Sequence, residues 1–288
     1  MNLVLGTAQF GTNYGIANTS GVVNTKEVAK ILEVAIAGGI RAIDTAMNYG
    51  NAENRLGEIG VSDFSIITKL PKIPNNDTKV EFWVNEQVNN SLERLGVSKL
   101  HGLLLHSPQD LAGTKGSQLL QALRKICKSG LVEQTGISIY SPSELVGVDT
   151  KKEFGLVQAP MNVFDRRIVE SGALEYLQRA GVEVHIRSAF LQGLLLMETS
   201  TIPQKLKRFR PLIERWHEWC SSQSLLPLQA CLAHVKSTAK GSKIVVGCDN
   251  AKQLQGIIEA AKTKSIEAPS YLLSGDIELI NPTQWGKI

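Results

Sequence analysis

Long apolar runs are missing from this chain: nowhere do ~18 apolar residues follow one another, so no segment reads as a membrane-spanning helix. No five consecutive Lys or Arg occur either, and a net charge of +4 lacks the density of a nucleic-acid binder. Cysteine is scarce. Cys127, Cys220, Cys231 and Cys248 lie far apart, make no Cys-x-x-Cys pair and have no matching histidine cluster. That spacing supports neither a zinc site nor a disulfide framework, and reduced thiols in a cytoplasmic protein are the expectation. The start Met1–Gly6 has no basic segment and too short an apolar run for a signal peptide. Internal repeats and low-complexity linkers are lacking, which points to one domain over 1–288.

What the chain does have is 288 residues, 43% hydrophobic and 20% charged, enough for one large core. Short apolar stretches alternate with amphipathic ones, the pattern of parallel strand–helix units. Strands are predicted at Leu3–Gly6, Ile40–Asp44, Ser65–Lys69, Leu100–His106, Gln134–Ser138, Leu156–Ala159, Glu183–Arg187 and Lys243–Val246. Helices are predicted at Thr25–Ala37, Glu53–Ile59, Val80–Leu95, Ser117–Lys128, Ser171–Arg179, Gln204–Ser222, Leu228–Lys236 and Ala251–Lys262, with a short one opening at Ser141-Pro142. Eight such units predict a closed (β/α)8 TIM barrel of class α/β, which commonly needs ~250 residues. The tail 268–288, with Tyr271, Leu272, Leu273 and Trp285, is expected to pack on the barrel's exterior.

Four residues fall at or just beyond strand ends: Asp44, Tyr49, Lys69 and His106. Strand C-termini of such a barrel converge on one mouth, so a carboxylate, a phenol, an ammonium and an imidazole there predict a proton-transfer centre. A phenol with pKa ~10 is a poor acid at neutral pH. A neighbouring ammonium favours the phenolate, so Lys69 is expected to lower the Tyr49 pKa, with Asp44 holding the lysine charged. His106 is expected to orient a carbonyl oxygen. Such a group suits protonation of a carbonyl as it is reduced.

The chain resembles the aldo-keto reductase family, in particular short members of bacterial carbohydrate pathways. The matching text runs Asp44-Thr-Ala-Met-Asn-Tyr49-Gly50-Asn51-Ala52-Glu53, Thr68-Lys69, Leu104-Leu105-His106-Ser107-Pro108, Gly136-Ile137-Ser138, Val157-Gln158, Ser188–Gly193 and Val246-Gly247-Cys248-Asp249-Asn250, in the family's order. The resemblance implies an NAD(P)H-dependent carbonyl reductase, with NADPH favoured on family grounds and NADH the alternative. Tyr49 would be the general acid, assisted by Lys69 and Asp44. Ser138 and Gln158 fall where the family contacts the nicotinamide carboxamide. The segment Ser188–Gly193, with Phe190 and Gln192, falls where it wraps the pyrophosphate. Gly247, Cys248, Asn250 and Gln253 lie in the segment facing the adenosine. Arg187 stands where an aromatic ring commonly stacks on the nicotinamide, and a planar guanidinium can stack as well. Ile139, Gln253, Gly256 and Ile257 also depart from the common pattern, which weakens the grip on a 2′-phosphate.

Pocket loops follow the strands, so Phe10, Tyr14, Asn48 and Asn162, with Gln9, Asn13, Arg166 and Arg167, are expected to face a small-molecule carbonyl. That polar set suggests a keto-sugar or another hydroxylated carbonyl. No metal site, nucleic acid or membrane partner is expected. Two rivals share the barrel: a cofactor-binding regulatory subunit with slow turnover, and a non-redox lyase or dehydratase.

Overall fold

Eight parallel strands close on themselves in the computed structural model, which describes residues 2–74, 79–112 and 114–286. They are β1 (Leu3–Gly6), β2 (Ala42–Asp44), β3 (Ser65–Leu70), β4 (Leu100–Leu105), β5 (Val132–Ser138), β6 (Leu156–Pro160), β7 (Glu183–Arg187) and β8 (Lys243–Val246). Each pairs with the next in sequence, and β8 returns to β1 with Val4 opposite Val245. The predicted TIM barrel is therefore the observed fold.

Alternation along the strands divides the apolar residues between two places. Val4, Ala42, Ile67, Leu104 and Leu156 form one small buried cluster contributed by five strands, the packed interior of the barrel. Their neighbours Leu5, Ile43, Ile66, Leu103, Leu105 and Ile137 face outward into the large core beneath the helices. Helix Thr25–Ala37 shows why these segments helicate: Val28, Ile31, Leu32 and Ala35 make one buried stripe, and Asn24 caps the start by accepting from Glu27 N at 3.0 Å.

Two predicted helices differ. The one expected over Ser171–Arg179 begins later, as Ala173–Arg179, because Gly172 adopts φ 75°, a left-handed conformation, and a separate short helix, Arg167–Glu170, precedes it. Gln204–Ser222 divides into a 3₁₀ segment, Gln204–Phe209, and an α-helix, Arg210–Ser222. Pro211 has no N–H to continue a helix through it and suits the first turn of a new one. A second core lies on this side, joining Phe164, Leu191, Trp216 and Trp219 to Leu272, Leu279 and Trp285 of the tail. The tail thus packs on the β6 and β7 loops and on Arg210–Ser222; the final two residues of its expected span, 287 and 288, lie outside the described residues.

His234, on helix Pro227–Thr238, ties the tail down by accepting from Ala268 N through Nδ1 at 3.2 Å. Burial, aided by Arg166, pushes its pKa down to about 3, and burial lowers that of His217 too. The unfolded chain would bind more protons at these positions wherever pH lies below ~6.5, so stability falls as pH falls. Glu183 adds to this loss. Burial opposes its charge, but bonds from His101, His185 and Lys243 overcome burial and hold it well below the usual carboxylate range. His101, raised by Glu183 and Glu133, has the opposite sign and offsets part of the effect. Urea unfolding should give a midpoint clearly lower at pH 4.5 than at pH 7, with the unfolding free energy smaller by on the order of a few kcal/mol at ~1.4 kcal/mol per pKa unit. Equal midpoints would refute this linkage.

Candidate active site

The C-terminal ends of the strands gather the four predicted residues. Lys69 Nζ, buried on β3, donates to Asp44 Oδ1 of β2 at 2.6 Å and to Thr45 O at 2.7 Å. The same Nζ lies 5.1 Å from the centroid of the Tyr49 ring. His106, one residue past the end of β4, meets Tyr49 edge-on with ring centroids 5.8 Å apart.

Tyr49 is pinned by its neighbours in the chain. Gly11 approaches so closely that a Cβ there would lie 1.6 Å from Tyr49 O, and one on Gly50 would lie 2.3 Å from Gly11 O. Glycine at both positions lets the loop after β1 and the loop after β2 touch backbone to backbone. Below them Glu53, buried, accepts from Thr68, Ser91 and Arg94 and ties helix Ala52–Ile59 to β3 and to helix Val80–Leu95.

Electrostatics at this mouth differ from expectation in one respect. The Tyr49 pKa is raised, not lowered: burial dominates, the Asp44 carboxylate adds to it, and Arg187 opposes. The ammonium meant to acidify the phenol is engaged 2.6 Å from Asp44, so Tyr49 stays protonated at neutral pH. Burial, resisted by Asp44, lowers the Lys69 pKa. Burial and the Lys69 charge bring His106 down to about 4, leaving a neutral imidazole. Its Nδ1 lies 3.2 Å from Asn48 Oδ1; an amide flip at Asn48 would change which ring nitrogen carries the proton.

From Tyr49 a cavity of about 420 Å³ runs across the mouth to Gly247, Cys248 and Gln253 beyond β8. Gln158, at the end of β6, lines it while donating to Asp44 Oδ2 at 2.7 Å and accepting from Ser138 Oγ at 3.2 Å. An amide has a second N–H and further lone pairs, so Gln158 can still meet a ligand. Arg187, Ser188, Phe190, Gln192 and Gly193 form one wall. That loop is strained: Ser188, Leu191 and Gln192 sit at φ 63°, 47° and 54°, each costing roughly 1–3 kcal/mol. Asn162 Nδ2 holds the loop by donating to Ser188 O at 3.2 Å. Such left-handed turns bare backbone N–H groups and suit an anion such as a diphosphate.

Several expected ligand residues face elsewhere. Phe10 is fully buried in the core beneath the loop it was expected to expose, because the short helix Ala8–Gly11 turns it inward. Asn162 is buried too, its Oδ1 accepting from Phe164 N and Asp165 N to close a turn. Asn250 caps helix Ala251–Ala260 by accepting from Gln253 N and does not line the cavity. Arg166 donates to Pro269 O, and Arg167 pairs with Asp165. Tyr14 and Gln9 do line the cavity, and Asn48 sits on His106. Sequence reasoning missed Ala17, Asn18, Met197 and Leu228 as lining residues and did not assign Asp249 to the site. The first two ride on a loop with no periodic pattern, so no signal marked them.

Residues 2–270 match the model of the aldo/keto reductase family. This chain belongs to that family. An aldo/keto reductase is an NAD(P)H-dependent oxidoreductase acting on carbonyl compounds, and relatives agree. The uncharacterized oxidoreductase YtbE of Bacillus subtilis (strain 168) is 27% identical over 176 residues, 59% of this chain and 61% of that protein, so the chain spans less than two thirds of that relative. The glyoxal reductase of the same organism is 27% identical over 202 residues, 68% of this chain and 71% of that protein. An aldo-keto reductase of Bacillus halodurans, solved in its holo form, superposes with TM-score 0.72 at 18% identity, covering 94% of this chain and 89% of that one. Its likeness bears on the fold. Among the described residues, no helix is long and apolar enough to cross a membrane.

Proposed function

We propose that this aldo/keto reductase reduces a small hydroxylated aldehyde or ketone, with Tyr49 as the proton donor. One observation carries the reading: Tyr49 and Asp44 line one end of a single cavity whose other end reaches 247–257, with Lys69 paired to Asp44 and His106 edge-on to Tyr49. The residues fit a nicotinamide dinucleotide. Gln158 has amide groups left for a carboxamide, the left-handed turns of the 188–193 loop are of the kind that receives a diphosphate, and the cavity runs between them. When bound, the reduced cofactor supplies a hydride, which no side chain can.

Tyr49 holds its proton at neutral pH because burial and Asp44 disfavour the phenolate. It can release that proton only to an oxygen gaining charge, and a carbonyl receiving hydride becomes such an oxygen. With the Asn48 amide flipped from its Oδ1-facing orientation, so that Nδ2 donates to Nδ1, neutral His106 would turn Nε2–H toward the same oxygen. Lys69 and Asp44 hold the floor of the site and, through Gln158, connect it to the cofactor wall. Polar Tyr14 and Gln9 near the mouth favour a hydroxylated substrate, and a relative named for reducing glyoxal points to small polar carbonyls. Sugar-derived aldehydes should turn over faster than steroid-sized apolar ketones. Turnover of apolar ketones alone would refute this.

Charge at the far end favours NADH over the NADPH suggested by family resemblance. Asp249 lines that end, its Oδ1 buried without a partner and its Oδ2 3.4 Å from Gln253 Nε2. Burial raises its carboxyl pKa, so its surroundings already resist negative charge. Among the described residues lining the cavity, Arg187 is the sole cation, and it belongs to the Tyr49 end. A 2′-phosphate would therefore meet a carboxylate with no compensating cation. Fluorescence titration should give NADH the tighter binding by about tenfold or more, since ~1.4 kcal/mol suffices. Tighter binding of NADPH would overturn that preference.

A further inference from the structure

The Tyr49 end of the cavity carries one positive charge that the reading above leaves unused. Lys69 and Asp44 are paired at 2.6 Å and largely cancel, Tyr49 is protonated and His106 neutral. Arg187 remains. It ends β7 and lines the cavity, with Nη2 donating to Ile139 O at 3.0 Å and Nη1 to Ser188 Oγ at 3.2 Å. Its Cζ stacks 4.4 Å from the centroid of the Tyr140 ring. Both hydrogen-bond partners are neutral, and among the described residues no carboxylate pairs with it within 4.0 Å. Its field reaches Tyr14, Tyr49, Lys69 and His106. The guanidinium is thus held rigidly, at the site of hydride transfer, without a counter-charge.

We infer that Arg187 makes this site discriminate between oxidation states of the nicotinamide, holding the neutral reduced ring in preference to the cationic oxidised one. The inference rests on the carbonyl-reductase reading. NADH and NAD⁺ share the adenosine, riboses and diphosphate, so contacts to those parts contribute nearly equally, and the ring charge is the main difference. During reduction the carbonyl carbon gains a hydride with its electron pair, its oxygen gains the Tyr49 proton, and NADH becomes NAD⁺. The nicotinamide ring would thereby become a cation within reach of the Arg187 charge. Like charges repel in a poorly solvated site, so the oxidised product would be released more readily, while the bound reduced ring, stabilised over the oxidised one, would be the weaker hydride donor.

The test is a pair of fluorescence or calorimetric titrations, NADH and NAD⁺, on the wild type, Arg187→Gln and Arg187→Lys. Glutamine keeps a donor for Ile139 O without the charge, and lysine keeps the charge without the planar stack. The wild type should bind NADH more tightly than NAD⁺ by at least about tenfold. Arg187→Gln should shrink that ratio by about tenfold, equivalent to ~30 mV in the bound two-electron couple. Arg187→Lys should retain most of it. An unchanged ratio in Arg187→Gln would overturn the inference while leaving the reductase reading intact. So would a rise in KM for the carbonyl at constant ratio, which would assign Arg187 to the substrate. If neither nucleotide binds the wild type, the reductase reading itself fails, and the inference with it.

Discussion

Tyr49→Phe is expected to slow carbonyl reduction by about 10²–10⁴-fold, the usual contribution of a positioned general acid. Dinucleotide binding should persist, because the ring stays and only the hydroxyl is lost. The ring makes the contacts that place it, edge-on to His106 and above Lys69 Nζ. The backbone around it is locked by the Gly11–Gly50 approach, which the substitution does not touch. Single-turnover loss of nicotinamide absorbance, with binding measured separately, checks the prediction. A variant that reduces carbonyls at the wild-type rate would remove Tyr49 from the chemistry.

Lys69→Met should be costly in a different way. Lys69 and Asp44 are 1% and 5% exposed at their side chains, so the ammonium and carboxylate are both cut off from water. Removing one partner leaves the other as an uncompensated buried charge, a loss of roughly 3–5 kcal/mol. Asp44 would retain its bond from Gln158 Nε2, which softens the loss without cancelling the charge. The melting temperature should drop by about 6–20 °C at 2–4 °C per kcal/mol, with activity falling as well. The double variant Asp44→Leu with Lys69→Met should recover much of the stability and none of the activity, because a buried pair exchanged for apolar groups is often neutral. A single variant that melts with the wild type would show that the pair is not coupled to folding.

The strands were legible because each is a short apolar run ending in a turn, and the closed barrel follows from eight such runs. Asp44, Lys69 and His106 were legible as a cluster for the same reason: parallel strands bring their ends to one rim. What followed from contacts between loops was not legible. Phe10 reads as an exposed loop residue until the helix Ala8–Gly11 folds it under. Asn162 reads as a ligand group until its carboxamide closes a turn and holds Ser188 O. The Tyr49 pKa was misjudged because spacing brings Lys69 and Asp44 together but does not show how deeply the phenol is buried, nor that the Asp44 carboxylate also opposes its ionisation. Arg187 likewise reads as a substituted stacking residue; its lack of a carboxylate partner needs coordinates.

The central claim is that this mouth moves a hydride and a proton onto a carbonyl, and stoichiometry tests it most directly. Purified protein given NADH and a hydroxylated aldehyde should oxidise one equivalent of NADH for each alcohol formed. Product appearing with the NADH absorbance undiminished, as in a lyase or dehydratase, would contradict it.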